Sequence, residues 1–140
     1  MLVYEFMVPA DKVIKCDASA TIDNVLDLLL DNHISAVVVA EGDKATGIIT
    51  KTDIARAYKK GYPLDNTAGS IMSTELKTVF RGLPRDTAAK VFAENKIHHA
   101  IVIDNEGAFV GFISAWDCAK EGFLDQQAWP WNRRTMGRRI

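Results

Sequence analysis

The segment GIITKTD, residues 47–53, returns 64 residues later as GFISAWD, residues 111–117. The residues before each copy match as well: DNHISAVVVAEGDKAT aligns with ENKIHHAIVIDNEGAFV, with one residue gained in the second copy. Farther upstream, FMVPADKVIK is echoed by IMSTELKTVF. Self-similarity at this spacing predicts one structural unit that is used twice.

Both copies predict the same order of elements, β-α-β-β-α. Apolar residues at Ile22, Val25, Leu26 and Leu29 indicate the first helix of the first copy, with Thr21 as its N-cap. The other predicted elements are extended pieces at residues 12–16 and 77–81, a helix after Pro84, paired strands at residues 36–39 and 47–50 and at residues 100–103 and 109–114, and final helices at residues 53–60 and 117–121 that end at Gly61 and Gly122.

The repeat also divides the chain into segments. We expect repeat 1 at residues 1–60, a linker rich in Gly, Pro, Asn and Ser at residues 61–70, repeat 2 at residues 71–121 and a Trp- and Arg-rich tail at residues 122–140. One repeat alone is too small to bury a good core. The predicted fold class is therefore α+β, with the two repeats packed through their sheets about a pseudo-twofold axis. Apolar helix surface left over predicts a homodimer.

Composition narrows the class of protein. Of the 140 residues, 48% are hydrophobic and 25% are charged, a globular balance that excludes disorder, a collagen-like repeat and a coiled coil. No apolar run reaches the roughly 18 residues of a membrane helix, and the N-terminus is not typical of a signal peptide. Cys16 and Cys118 are too few for a disulfide scaffold, so a reducing, cytoplasmic location is expected.

The charge is spread unevenly along the chain. The formal net charge is −1, yet the last eight residues carry four arginines and no acid. The tail between Trp129 and Ile140 predicts either a strap packed on the module or a docking peptide for an acidic protein partner. Because the rest of the chain is acidic, nucleic-acid binding through this tail is expected to be a minor role at most.

The repeated motif has the chemistry to hold a nucleotide. A hydroxyl, Thr50 or Ser114, ends a strand, and a carboxylate, Asp53 or Asp117, follows three residues later at a helix start. The helix start favours an anionic phosphate, and the hydroxyl can donate to a phosphate oxygen. The carboxylate can accept from both hydroxyls of a ribose. The alternative is purely structural, because Thr and Asp are common caps of helices.

The same motif, G-h-[IL]-[ST]-x-x-D, follows a strand and an amphipathic helix in each copy and resembles the tandem CBS-domain proteins, also called Bateman modules. The resemblance covers residues 3–121. It implies two clefts that bind adenosine-containing ligands such as AMP, ADP, ATP or S-adenosylmethionine. It further implies a module that regulates an enzyme or a transporter and dimerises, with these ligands as regulators and no true cofactor.

The resemblance assigns one cleft to each repeat. Asp53 and Asp117 would hold ribose, Thr50 and Ser114 would hold phosphate, and nearby strands would supply the base pocket. The residues expected to line cleft one are Val13, Ile14, Ile34, Ser35, Ala36, Gly47, Thr50, Lys51 and Asp53. Those expected to line cleft two are Thr78, Val79, Ile97, His98, His99, Ala100, Gly111, Ser114, Trp116 and Asp117.

Three details refine this expectation. Gly47 and Gly111 would let a ligand approach the strand backbone closely. Trp116 would either stack on a base or fill cleft two. The cations expected near cleft one are Lys51, Arg56 and Lys59, against Lys120 alone near cleft two, so a polyphosphate is expected at cleft one.

No catalytic or metal site is predicted. His98 and His99 are adjacent on a strand, so their side chains should point to opposite faces, which is poor geometry for a shared metal. The sequence has no nucleophile-elbow, phosphate-loop or dinucleotide motif. The leading hypothesis is therefore a regulatory nucleotide sensor and not an enzyme. The alternatives are a ligand-free scaffold and a nucleic-acid-binding accessory protein that acts through the basic tail.

Overall fold

The computed structural model describes residues 1–128, with side chains described through residue 124. The predicted strap or docking peptide between Trp129 and Ile140 lies outside the described residues. The elements, in chain order, are α1 (Val3–Phe6), β1 (Val8–Pro9), β2 (Lys15–Cys16), α2 (Ile22–Asp31), β3 (Ala36–Glu41), β4 (Lys44–Thr50), α3 (Lys51–Lys59), β5 (Thr78–Phe80), α4 (Arg85–Asn95), β6 (His99–Ile103), β7 (Phe109–Ser114) and α5 (Ala115–Ala128).

The strands form two sheets of matching design. One has the order β2-β3-β4 and the other the order β1-β7-β6-β5. In each sheet a short strand pairs in parallel with a central strand (β2 with β3, β5 with β6), which pairs antiparallel with the strand that follows it along the chain. The α+β class and the duplicated β-α-β-β-α order are confirmed.

Local signals explain where the helices begin and end. The Thr21 hydroxyl accepts a hydrogen bond from the Asn24 N–H at 3.1 Å and caps α2 as predicted. Gly61 adopts a φ of +79° just after α3, which suits a residue without a Cβ. The predicted helix stop at Gly122 is wrong, because α5 continues through it to Ala128. Gly122 does not adopt the left-handed conformation that ends a helix.

The first residues of the chain and the linker that leads into repeat 2 each pack on the half of the molecule that is built mainly from the other repeat. The Val3 N–H donates to the Leu83 carbonyl at 2.8 Å, and Val3 is fully buried in the core that contains α4 and β7. In the same way, the Ala68 N–H donates to the Ala20 carbonyl at 2.7 Å, and Ala68 is fully buried in the core beneath α2. Each half of the molecule therefore contains a short piece of chain from outside its main sequence range. The segment boundaries expected from the sequence stay a prediction.

A third apolar cluster joins the two sheets. Its buried members are Val13, Val38 and Ile101. Val38 and Ile101 are equivalent, because each lies opposite the residue after the glycine of its own repeated motif. Equivalent residues from the two repeats thus meet in one cluster, as the predicted pseudo-twofold packing requires. No helix within residues 1–128 is long and apolar enough to cross a membrane.

Candidate functional site

The motif of repeat 1 forms a reciprocal cap at the start of α3. Thr50 ends β4, and its backbone N–H donates to Asp53 Oδ2 at 2.8 Å. The Asp53 N–H donates back to Thr50 Oγ1 at 3.3 Å, and the Thr50 hydroxyl donates to Asp53 Oδ2 at 3.1 Å. The structural role that sequence reasoning held as the alternative is therefore present at this site.

The motif of repeat 2 has the same geometry at the start of α5. The Ser114 N–H donates to Asp117 Oδ2 at 2.9 Å, and the Asp117 N–H donates to Ser114 Oγ at 3.0 Å. Each of these caps occupies Oδ2 of its aspartate. A cap and a ligand contact can therefore coexist wherever Oδ1 of the same carboxylate is open to a cleft.

Two clefts open between the halves of the molecule. We call cleft A the larger one, of about 730 Å³, and cleft B the smaller one, of about 300 Å³. The predicted residues that line cleft A are Val13, Ile14, Ile34, Ser35, Ala36, Thr50, Lys51, His98, His99, Ser114, Trp116 and Asp117. Those that line cleft B are Thr50, Asp53, Ile97, His98, His99 and Ala100.

The predicted division of residues between the clefts is wrong. Each cleft was expected to belong to one repeat, but cleft A combines Asp117 of repeat 2 with the base-side residues 34–36 of repeat 1. Cleft B combines Asp53 of repeat 1 with the base-side residues 97–100 of repeat 2. The cause is the pseudo-twofold packing, which sets the start of each repeat's final helix against the other repeat's sheet.

Thr78 and Val79 line neither cleft. Thr78 is exposed on β5, and Val79 is buried in the core of the second half. Because Lys15 pairs with Val38 and Thr78 with Ile101, counting back from these pairs makes Leu76 and Lys77 the counterparts of Val13 and Ile14. Leu76 and Lys77 do line cleft B, and sequence reasoning missed them because it placed the repeat offset too far along the chain.

Gly47 and Gly111 also line neither cleft. A Cβ on Gly47 would lie 2.5 Å from Met72 Sδ, and a Cβ on Gly111 would lie 2.9 Å from the Val8 carbonyl oxygen. A segment of chain passes next to each glycine. Ser73 forms a β-bridge with Ile48 beside Gly47, and β1 pairs with β7 at Gly111. These glycines therefore admit protein backbone and methionine side chains, and the expected close approach of a ligand is wrong.

His99 lies where the two clefts meet. Its Nε2 is 3.0 Å from Ser35 Oγ of the other half, and its ring stacks on Phe112 with centroids 5.6 Å apart. Burial lowers the pKa of His99 from 6.5, the nearby His98 lowers it further, and Asp117 acts in the opposite direction. A neutral His99 imidazole can form a hydrogen bond with the Ser35 hydroxyl without adding a positive charge to the lining of the clefts.

Charged side chains are divided differently from the prediction. Lys51 lines cleft A together with Lys12, which the sequence reasoning did not select. Arg56 and Lys77 line cleft B. Trp116 is 68% exposed at cleft A, so it does not fill the cleft. Within residues 1–128, no group of three or more His, Cys, Asp or Glu side chains is arranged to hold a metal ion.

Comparison with known proteins identifies the repeat. The sequence model of the CBS domain matches residues 3–60 and again residues 68–123. The inosine-5'-monophosphate dehydrogenase of Chlorobaculum tepidum is 30% identical over 107 residues, which are 72% of this chain but 21% of that enzyme. The chain therefore spans about a fifth of the length of this curated relative. The CBS domain-containing protein YhcV of Bacillus subtilis is 25% identical over 77% of both chains.

Solved structures share the fold. The CBS domain protein PAE2072 from Pyrobaculum aerophilum, complexed with AMP, matches with a TM-score of 0.74 and 25% identity over 84% of this chain and 89% of its own. The CBS domain pair of protein MJ0100, in complex with 5-methylthioadenosine and S-adenosyl-L-methionine, matches with a TM-score of 0.76 over 89% of this chain and 98% of its own. Its identity of 23% supports the fold alone.

Proposed function

This chain belongs to the CBS-domain family, and from that premise we propose that it is a regulatory module that binds an adenosine-containing ligand such as AMP, ADP, ATP or S-adenosylmethionine. The observation that carries the proposal is cleft A, where a carboxylate, a hydroxyl, two lysines and an apolar slot converge. Its volume of about 730 Å³ falls within the range of small-molecule sites.

Each part of a nucleotide has a chemical partner in cleft A. Asp117 accepts from the ribose hydroxyls through a charge-assisted pair, and Ser114 donates to a phosphate oxygen. Lys12 and Lys51 attract the phosphate charge. The base lies among apolar groups of the first half, which are Val13, Ile14, Ile34 and Ala36. Cleft B has the corresponding carboxylate and hydroxyl, those of Asp53 and Thr50.

Regulation follows from where the clefts lie. Because each cleft takes side chains from both halves, a ligand favours the arrangement of the halves in which all its partners are within reach. A ligand changes an equilibrium only by its difference in affinity for the two states. The proposed output is a change in how the two halves, or two copies of the chain, present their surface to a protein partner.

The remaining parts of the proposal concern context. We place the module in the cytoplasm, where Cys16 and Cys118 remain free thiols. A homodimer is proposed because large apolar side chains are exposed on its helices, among them Leu30, Tyr58 and Phe123. The module itself is proposed to be non-catalytic, and residues 129–140 are proposed to contact a protein partner.

A ligand panel tests the proposal. AMP, ADP, ATP, S-adenosylmethionine and GMP are added separately at millimolar concentration, and thermal unfolding is followed. We expect at least one adenosine ligand to raise Tm, because a ligand at about 100 times its Kd stabilises by about 2.7 kcal/mol. The control is the Asp53→Asn, Asp117→Asn double variant, whose amide oxygens can still accept the cap hydrogen bonds. A wild-type Tm that no ligand moves would contradict the proposal and favour the ligand-free scaffold.

A further inference from the structure

We infer that the two clefts are not equivalent, and that the chain binds one adenine nucleotide, in cleft A, because cleft B is smaller and its aspartate is already paired with Arg56. This inference rests on the proposed function and specifies which site performs it. It is carried by the partners of the two aspartates, by the walls of the two clefts and by their charge.

Both oxygens of the carboxylate in cleft B already have partners within the chain. Asp53 Oδ2 accepts from the Thr50 N–H and hydroxyl at 2.8 and 3.1 Å. Its other oxygen, Oδ1, accepts from Arg56 Nη1 at 3.1 Å, so both oxygens have partners. A ribose that entered cleft B would have to displace the Arg56 guanidinium from a carboxylate whose side chain is only 15% exposed.

The carboxylate of cleft A is half free. Asp117 Oδ2 accepts from the Ser114 N–H, while Oδ1 has no hydrogen bond or ion pair with any side chain among residues 1–124. The residue that matches Arg56 in sequence is Lys120, three positions after Asp117. Lys120 is exposed and forms no ion pair with Asp117. Asp117 therefore keeps an open oxygen for a diol.

The walls differ in bulk at equivalent positions. Ala36 pairs with Thr50 and His99 pairs with Ser114, so Ala36 and His99 are equivalent, as are the residues before them, Ser35 and His98. Ser35 and Ala36 line cleft A alone, whereas His98 and His99 line both clefts. Cleft B, at about 300 Å³, has less than half the volume of cleft A, at about 730 Å³.

The charge in the clefts also favours cleft A for a phosphate. In cleft A the two positive charges of Lys12 and Lys51 outnumber the single negative charge of Asp117. Cleft B has Arg56 and Lys77 but also two carboxylates, Asp53 and Glu75, which balance them. Arg56 is more than half exposed, so its ion pair alone would not exclude a ligand. The preference for cleft A therefore rests on the ion pair at Asp53, the smaller volume of cleft B and its lack of excess positive charge together.

Isothermal titration with AMP tests the inference, with ADP and ATP titrated in parallel. We expect one nucleotide per wild-type chain. Asp117→Asn should weaken binding by about tenfold or more, because the carbonyl of an amide accepts from a diol less strongly than a carboxylate does. The matched control is Glu121→Gln on the same helix, which removes a carboxylate that lines neither cleft and should keep the wild-type affinity.

The outcomes separate this inference from the proposed function. Two nucleotides per chain, or a tenfold loss with Asp53→Asn and none with Asp117→Asn, would overturn the inference and leave the proposed function standing. No binding of AMP, ADP or ATP would overturn the inference, and it would overturn the proposed function as well if S-adenosylmethionine also left the Tm of the wild type unchanged. Circular dichroism of each variant shows whether a loss of binding reflects a loss of fold.

Discussion

Asp53 and Asp117 each have one carboxylate oxygen in a helix cap and a second oxygen outside it. In both residues Oδ2 closes the cap of a helix, which fixes the side chain and leaves only Oδ1 to vary. What Oδ1 does is then decided by a neighbour three positions along the helix, where Arg56 binds the carboxylate and Lys120 does not. The cap therefore leaves Oδ1 outside its own hydrogen bonds and fixes the carboxylate in place, which is compatible with the proposed ligand contact.

Substitution of Gly111 is expected to destabilise the fold. A Cβ there would lie 2.9 Å from the Val8 carbonyl oxygen and against Met7, and backbone cannot move aside cheaply. We expect Gly111→Ala to lower the free energy of unfolding by about 1–3 kcal/mol, as overpacking does. Urea unfolding monitored by circular dichroism measures it.

Gly122→Ala provides the control for this substitution. Gly122 lies inside α5, and a Cβ there would meet nothing within 4 Å. Alanine in a helix interior should raise the free energy of unfolding by about 0.5–1 kcal/mol. If Gly111→Ala is as stable as the wild type, the account of Gly111 as a crossing point for β1 is wrong.

His99 is expected to make stability depend on pH. Its pKa is lowered below 6.5 in the folded chain, chiefly by burial, so the unfolded chain binds the proton first as the pH falls. The free energy of unfolding should therefore decline as the pH drops below 6.5, and this decline should end once the pH passes the folded value.

Urea unfolding between about pH 7.5 and about pH 5.5 measures the slope. His99→Gln should flatten it. His33→Asn provides the control, because His33 is exposed and asparagine tolerates its φ of +53°. An unchanged slope in His99→Gln would show that the decline arises elsewhere.

Single residues of the site could be predicted only in part. The pairs Thr50–Asp53 and Ser114–Asp117 follow from the repeated motif, and the structure places all four at a cleft. Lys77 could not be found from the motif, because a repeat offset taken from one part of the chain fails where a residue has been gained. Strand pairing supplies the correct alignment, and pairing is a property of the folded sheet.

At the scale of elements, two short segments, one at the start of the chain and one in the linker, connect the two halves of the molecule. α1 and β1 come first in the chain but pack on the second half, through Val3 and through the pairing of β1 with β7. The 3-10 turn Ala68–Ser70 packs in return on the first half. Each core therefore includes at least one buried residue from the segment that the other side of the repeat boundary supplies, Val3 in one and Ala68 in the other.

Val3 therefore matters to the half that is distant in sequence. It is fully buried against Ala88, Phe92 and Ile113. We expect Val3→Ala to lower the free energy of unfolding by about 2–3 kcal/mol, since about 0.8 kcal/mol is lost for each of the two buried carbons and a cavity adds to it. Leu30→Ala is the control, because Leu30 is 65% exposed and its loss should cost less than about 0.5 kcal/mol.

Urea unfolding of both variants decides the point. Equal stability of Val3→Ala and the wild type would mean that the first residues are not part of the second core.

Local patterns predicted most elements but not the exchange. The apolar spacing of α2 and its Thr21 cap are signals within one stretch of chain, and the helix forms where they indicate. No local pattern predicts that residues 1–9 pack on the second half. Their position depends on which sheet edge is open after the two repeats have paired. Gly122 failed as a stop signal for a related reason, since glycine permits the left-handed conformation without requiring it.

At the scale of the whole molecule, two similar halves produce two dissimilar clefts. The duplication predicted the pseudo-twofold packing, and the joint cluster around Val38 and Ile101 shows it. The mixing of repeats within each cleft could not be predicted, because it arises only when the sheets meet. Differences at a few equivalent positions, such as Arg56 against Lys120, accompany one larger cleft and one smaller cleft.

A crystal structure of the chain grown with saturating AMP tests the central claim most directly. The account predicts AMP in cleft A, with a ribose hydroxyl at about 2.7 Å from Asp117 Oδ1 and the phosphate beside Lys12 and Lys51, while Arg56 still binds Asp53 in cleft B. AMP held by Asp53 in cleft B, or both clefts empty at saturating AMP, would contradict it.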